Sequence, residues 1–245
     1  MKKQDKNKQD IDVFGKAIFA YHHHQDETDI IVHSPDFDDD IIPVSVLFRN
    51  YEEMPALEKE ALNKSYGKVL DVGCGAGSHT LYLQQQKDLD VTGIDISKGA
   101  IEICKLRGCK NVKVQDYFNW NAEKYDTLLF MMNGTGIIEK LSNLDRFFEH
   151  SKALMTTNGQ LLIDSSDLSY LLDPDEDGGI WVDPDQGYYG ELEFSISYKG
   201  ETANKFNWLY LDFPSLELAA NKNGFSCELI KKGDHYDYLA KLKVL

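Results

Sequence analysis

Between residues 68 and 164, short apolar runs alternate with amphipathic stretches of helical length. Lys68-Val-Leu-Asp-Val72, Val91-Thr-Gly-Ile-Asp95, Val112-Lys-Val114, Tyr125-Asp-Thr-Leu-Leu-Phe130 and Gln160-Leu-Leu-Ile-Asp164 are rich in apolar and β-branched residues. They are too short for helices, which predicts buried strands. Ser97 is placed to cap a helix over 98–107 that Gly108 ends. Ser142-Asn-Leu-Asp145 has the form of a capping box. The stretch after it sets Leu144, Phe147, Phe148, Ser151 and Met155 near one face, closed by Gly159. Residues 52–64 predict an earlier helix, with acids in its first turn, Pro55 near its start and Gly67 beyond its end. Strands alternating with helices imply right-handed crossovers and a parallel sheet that takes ligands at its C-terminal strand ends.

The pattern breaks at Ser165. An acidic stretch (Asp173 to Asp185) leads into Glu191-Leu-Glu-Phe-Ser-Ile-Ser-Tyr198, which alternates with period two, and then into Phe206-Asn-Trp-Leu-Tyr-Leu-Asp212. Two such runs around a polar connection predict an antiparallel hairpin. A helix over 214–223 and a last hairpin, with strands over 226–230 and 238–244, complete the chain. At the other end, Phe14 to Tyr21 can make two helical turns, followed by three adjacent histidines (His22, His23, His24) and a loop at Pro35–Asp40. Adjacent residues cannot share a helix face, so the histidines make a poor metal site. This divides the chain as one domain over 1–245, with an N-terminal cap segment over 1–50 and an inserted acidic loop and hairpin over 165–213.

Charge narrows the function. The chain has 41 Asp and Glu against 26 Lys and Arg, a formal net charge of -15 over 245 residues. Nonspecific nucleic-acid binding rests on Lys and Arg neutralising phosphates, so this balance argues against a nucleic-acid partner. No apolar run approaches the ~20 residues needed to span a bilayer. The polar opening residues 1–10 lack the apolar segment of a signal peptide. Cys74, Cys104, Cys109 and Cys227 show no C-x-x-C pairing, which predicts reduced thiols in a cytoplasmic protein.

The most informative chemistry follows the first of the strands. Gly73-x-Gly75-x-Gly77 removes every Cβ from a tight strand-to-helix turn, so a ligand can lie on backbone at a helix N-terminus. The dinucleotide fingerprint G-x-G-x-x-G is not met, because Ser78 stands where its third glycine belongs. Asp71, at the strand's end, opposes a pyrophosphate and suits a cationic ligand.

Asp71 to Gly77 resembles the first motif of the class I S-adenosylmethionine-dependent methyltransferases, whose cofactor carries a sulfonium and an ammonium group. The later strands look like the family's second to fifth. The resemblance implies an α/β, Rossmann-like seven-stranded sheet in the order 3-2-1-4-5-7-6, with strand 7 antiparallel and helices on both faces. To this it adds an N-terminal helical cap and the inserted antiparallel hairpin. It implies that S-adenosyl-L-methionine is the cofactor, with Asp95 on the ribose hydroxyls and Asp116 on the adenine amino group. Ile96, Tyr117, His79 and Asn133 join Asp71, Gly73, Gly75 and Gly77 in the cofactor set. Arg49 and Tyr51, before the helix over 52–64, are placed to reach the cofactor's carboxylate.

Methyl transfer from a sulfonium is an in-line displacement. The protein aligns acceptor and methyl at ~3–3.5 Å, excludes water and removes a proton where the acceptor bears one. No single catalytic residue is universal to such a reaction, and His79 and Asn133 are the candidates here. Asn133-Gly-Thr-Gly136 is not the Asn/Asp-Pro-Pro-aromatic motif of nucleobase and glutamine methylases, which points to a small-molecule acceptor. No metal is expected. Asp173-Pro-Asp-Glu-Asp177 copies the first half of a calcium loop, but Pro184 stands where the bidentate Glu belongs, and a solvated acidic turn is the simpler reading. Trp181, Tyr188, Tyr189, Trp208 and Tyr210 either line a substrate pocket or pack on the layer beneath. The hairpin from Tyr188 to Asp212 is expected to cover the acceptor side. Glu191 and Glu193, if turned into the cleft, would favour an amine. Two other readings stay open: a cofactor-binding protein of the same fold without transferase activity, and a nucleotide-dependent oxidoreductase, which Ser78 and Asp71 disfavour.

Overall fold

The computed structural model describes residues 11–172 and 187–245, so the acidic Asp173–Asp185 stretch, its calcium-like loop and Trp181 lie outside the described residues. In chain order the first half forms α1 (Val13–His24), β1 (Ile30–His33), β2 (Asp40–Ile42), α2 (Ala56–Lys64), β3 (Lys68–Val72), α3 (Ser78–Gln86), β4 (Asp90–Asp95), α4 (Lys98–Leu106) and β5 (Val112–Val114). Then come β6 (Tyr125–Phe130), α5 (Leu144–Leu154), β7 (Met155–Ser166), β8 (Glu191–Tyr198), β9 (Glu201–Thr202), β10 (Phe206–Leu209), α6 (Phe213–Lys222), β11 (Phe225–Lys232) and β12 (Asp237–Val244).

The main sheet has seven strands in the order β5-β4-β3-β6-β7-β12-β11. Its first five strands run parallel, and β12 inserts antiparallel between β7 and β11. This is the expected order. Period-two alternation sorts its side chains between two faces. Leu70, Leu128 and Leu161 pack with Phe147, Phe148 and Leu216 of α5 and α6, while Val69, Leu129 and Leu162 pack with Leu57, Leu62 and Leu83 of α2 and α3. Ser97 caps α4 as expected, accepting from Ala100 N at 3.0 Å. The expected capping box of α5 does not form. Residues 141–143 make a 3-10 turn instead, and the N-cap Asn143 makes no side-chain capping bond.

A second sheet is the main departure from the expected architecture. The hairpin strands β8 and β10 pair with Phe206 opposite Phe194 and Trp208 opposite Leu192. Beside β8 lie two N-terminal strands, giving the order β10-β8-β1-β2 with β9 on the end of β8. The N-terminal segment is therefore a helix plus two strands, and not helical alone. A ribbon of two strands is marginal in water, and β1 supplies the hairpin's missing edge.

The hairpin is also built into the main core, because Leu209 and Leu211 at its end are fully buried there. Deleting residues 191–212 is therefore expected to abolish cooperative thermal unfolding, since it removes both core residues and β1's partner. Circular dichroism checks this. A deletion variant that melts cooperatively and still binds S-adenosylhomocysteine would show the hairpin to be a dispensable cover.

Candidate active site

The glycine turn joins β3 to α3, and Gly73, Gly75 and Gly77 all take positive φ, at 72°, 53° and 88°. Their surroundings differ. A Cβ on Gly75 would meet nothing within 4 Å, and one on Gly73 only Ile137 Cδ1 at 3.6 Å. One on Gly77 would strike Cys109 Sγ at 2.6 Å and Cys104 Sγ at 2.9 Å. The first two glycines thus open a cradle, and the third lets the turn sit on buried thiols. These thiols are free, and the bond to Cys104 together with burial raises that of Cys109, so they are inert packing groups.

Asp95 ends β4 beside this cradle. Its Oδ2 accepts from Gly75 N at 2.9 Å and its Oδ1 from Ser97 N at 2.8 Å. A carboxylate has about four acceptor sites, so two remain for hydroxyl donors. Burial raises its pKa, the two amides oppose the rise, and the Asp12 and Asp71 charges add to it. Ile96, the next residue, leaves 76% of its surface exposed, an apolar side chain waiting at the edge of the site. Asp12, at the start of α1, reaches the same corner. It accepts from Ser97 Oγ at 3.0 Å and Gly99 N at 2.9 Å, clamping the N-terminal helix onto α4.

Other expected site residues have different work. Asp71 is buried and accepts from Thr80 Oγ1 at 2.6 Å, tying β3 to α3 instead of facing a ligand. Burial raises its pKa against the pull of His79. Asp116 is exposed and caps the turn after β5 through Phe118 N at 2.7 Å. Tyr117 turns inward: its hydroxyl bonds Ser151 Oγ at 2.8 Å, and its ring packs edge-on against Phe130. Its side chain is thus core, which leaves only its backbone to a ligand. Tyr51 stacks on Tyr82 at 4.2 Å and accepts from Asn63 Nδ2, which removes it from the candidate carboxylate site.

His79 is also committed. Its Nε2 bonds Glu58 Oε2 at 2.8 Å, and Glu58 Oε1 accepts from Arg49 Nη2 at 2.6 Å. Burial opposes charge on both buried partners, but the mutual bond outweighs it, so Glu58 is lowered and His79 raised. A ring held this way is not a free base. Arg49 Nε, in contrast, is shielded from solvent and has no partner. An orphaned guanidinium N–H beside the glycine turn's helix fits an anionic group such as a carboxylate.

Asn133 follows β6 with φ 59°, half-buried, and its Oδ1 accepts from Ser166 Oγ at 2.9 Å, which leaves its amide N–H groups as donors. Gly136, in the same turn, lies flat under Trp208, where a Cβ would come within 1.8 Å of the indole. The second sheet's aromatics thus close on this turn. Tyr188 and Tyr189 donate to Asp212 Oδ2 at 2.5 and 3.3 Å, and Tyr189 also to Asp167 at 2.9 Å. The acids expected to select an amine are taken, Glu191 by Leu141 N at 2.7 Å and Glu193 by Lys205 at 2.6 Å.

A Ser-His-Asp chain lies elsewhere, on the second sheet. Ser197 Oγ is 2.7 Å from His33 Nε2, and His33 Nδ1 is 2.9 Å from Asp39. Ser197 sits in a strand paired on both sides, opposite Ile31 and Thr202, so no adjacent amide is free to hold an oxyanion. The chain pins the β1–β2 turn to β8.

Comparison with known proteins decides the family. The family profile described as "Methyltransferase domain" matches residues 63–195. A solved S-adenosylmethionine-dependent methyltransferase from Bacteroides fragilis, in complex with S-adenosyl-L-homocysteine, is 44% identical, with TM-score 0.88 over 95% of this chain and 94% of that one. The chain belongs to the S-adenosylmethionine-dependent methyltransferases. Its cofactor is S-adenosyl-L-methionine. Among curated family members, a ubiquinone biosynthesis O-methyltransferase from Pelagibacter ubique is 35% identical over 39% of this chain and 40% of its own length. A probable (S)-tetrahydroprotoberberine N-methyltransferase 2 from Papaver bracteatum is 31% identical over 40% of this chain and 28% of its own length. The chain therefore matches less than half the length of either. Among the described residues no helix is long and apolar enough to cross a membrane, and no group of three or more His, Cys, Asp or Glu is arranged to hold a metal ion.

Proposed function

We propose that this chain transfers a methyl group from S-adenosyl-L-methionine to a small-molecule acceptor held beside the turn after β6, where the second sheet packs on it. The observation that carries the reading is the closure of Trp208 onto Gly136, which puts an aromatic cover over the turn that bears Asn133. Bound S-adenosylmethionine supplies an electrophilic methyl on a sulfonium leaving group. Asp95 would hold the ribose hydroxyls, with Gly73 and Gly75 opening the cradle and Ile96 covering its edge. The exposed Asp116 would take the adenine amino group, and the unpartnered Nε of Arg49 would take the cofactor's carboxylate. The chain's remaining task is to orient the acceptor and keep water out, and Asn133, in the cofactor site where it borders the acceptor, would offer its amide donors to both. The buried free thiols support a reducing, cytoplasmic setting.

A sulfonium leaving group needs no Lewis acid, so transfer is expected to persist in excess chelator once an acceptor is found. Rates measured with and without chelator check this. Loss of activity restored by magnesium or calcium would contradict it. The reading itself is tested by screening small-molecule extracts for methyl acceptance with methyl-labelled cofactor. Cofactor binding without labelling of any acceptor would favour a non-enzymatic use of the fold.

A further inference from the structure

Past β6 the backbone adopts a shape that no strand or helix requires. Met132 and Asn133, consecutive and neither of them glycine, take left-handed φ of 66° and 59°. Side chains resist that conformation, so something must hold it. Successive amides in such a turn converge into a concavity that binds an anion. Here the anion is internal. Asp164, buried near the end of β7, accepts from Gly134 N at 2.9 Å through Oδ1 and from Met132 N at 3.1 Å through Oδ2. Its two successors assist: Ser165 Oγ bonds Thr135 Oγ1 at 2.6 Å, and Ser166 Oγ donates to Asn133.

We propose that Asp164 is a positioning residue, whose carboxylate holds the Met132–Asn133 turn in the shape that receives the cofactor. This rests on the reading that Asn133 lies in the cofactor site. The titratable groups that act on Asp164 come from two packed elements. Glu58 of α2, itself bonded to His79 of α3 and to Arg49, adds negative charge, and Tyr238 of β12 lies within its field. Burial raises Asp164, the amides of Gly134 and Asn133 oppose this, and Glu58 adds to it, for a pKa of about 6.

Two effects of acidification then run in opposite directions. A carboxyl raised in the folded state takes up its proton before the unfolded chain does. Its contribution to stability is thus present at low pH and lost as pH rises through about 6. The protonated form binds the amide cluster more weakly, so cofactor affinity falls as the fold gains stability. A purely structural carboxyl would show only the stability effect.

The test is titration calorimetry of S-adenosylhomocysteine across that pH range, with wild type and Asp164→Asn, beside thermal melts at each pH. Wild-type affinity is expected to fall about tenfold from one pH unit above the transition to one below. Asp164→Asn, which turns an amide nitrogen toward a backbone N–H, is expected to bind about tenfold more weakly above the transition and to lose the inflection near pH 6, leaving only the effect of Asp95, which titrates in both proteins. Equal affinity and an unchanged pH profile in the variant would overturn the proposal. If the variant does not fold, wild-type amide shifts of Met132 and Gly134 serve instead. A shared inflection of shifts and affinity supports the proposal, and shifts that titrate while affinity stays flat overturn it. Wild type that binds no S-adenosylhomocysteine at any pH would overturn the cofactor-site reading itself, and the proposal with it.

Discussion

Replacing Glu58 with alanine is expected to destabilise the fold by about 3–5 kcal/mol, because it strands Arg49 and His79 without their shared buried anion. His79 can shed its proton and Arg49 cannot, which places the effect toward the lower end of that range. The pH dependence carries a signature. Glu58 is lowered from 4.5, so its contribution is present above 4.5 and lost as pH falls through its folded value. His79 is raised from 6.5, so its contribution is complete below 6.5 and lost as pH rises through its folded value. The pair therefore stabilises most between those two pH values, and Glu58→Ala should flatten both limbs. Urea unfolding of both proteins across pH measures this. A variant within about 1 kcal/mol of wild type, the range of an exposed ion pair, would contradict it.

Asp95→Ala is expected to remove S-adenosylhomocysteine binding almost completely. Two charge-assisted hydrogen bonds to the ribose, at ~1.5–3 kcal/mol each, amount to roughly 10²–10⁴-fold in affinity. The loss will not be confined to the ligand, since Gly75 N and Ser97 N both depend on the same carboxylate. The variant should melt at a lower temperature, and Asp95→Asn, which keeps one acceptor, should fall between. Calorimetry and thermal melts check both. Unchanged affinity in the alanine variant would remove Asp95 from the site.

The parallel part of the main sheet was legible in the chain because most of its strands are short runs dominated by apolar residues, and Gly108 supplies a stop signal after α4. The Gly159 expected to close α5 lies instead inside β7, which starts directly at Met155. The second sheet was not, for a physical reason. β1 is four residues long, and its register partners at Ser195–Ser197 lie far along the chain, with no turn between them to announce the pairing. Of the candidate site, the glycine turn and the acid that ends β4 beside it could be located directly, because their chemistry is local. Asp71, His79 and Tyr117 could not be assigned, because sequence spacing does not reveal which neighbour takes a side chain. Thr80, Glu58 and Ser151 take these three, and only the packing of α3, α2 and α5 brings them near. Asp164 had one signal of its bonds to the turn after β6, an acid near the end of a buried strand beside Met132 and Asn133. Their positive φ is visible only in three dimensions.

Methyl transfer itself is the direct test of the central claim. The full chain would be incubated with methyl-deuterated S-adenosylmethionine and a cytoplasmic small-molecule extract, and the extract followed by mass spectrometry. The labelled methyl is predicted to appear on a small molecule, with S-adenosylhomocysteine formed in equal amount, for wild type and not for Asp95→Ala. Tight cofactor binding with no labelled acceptor and no S-adenosylhomocysteine formed would contradict the claim.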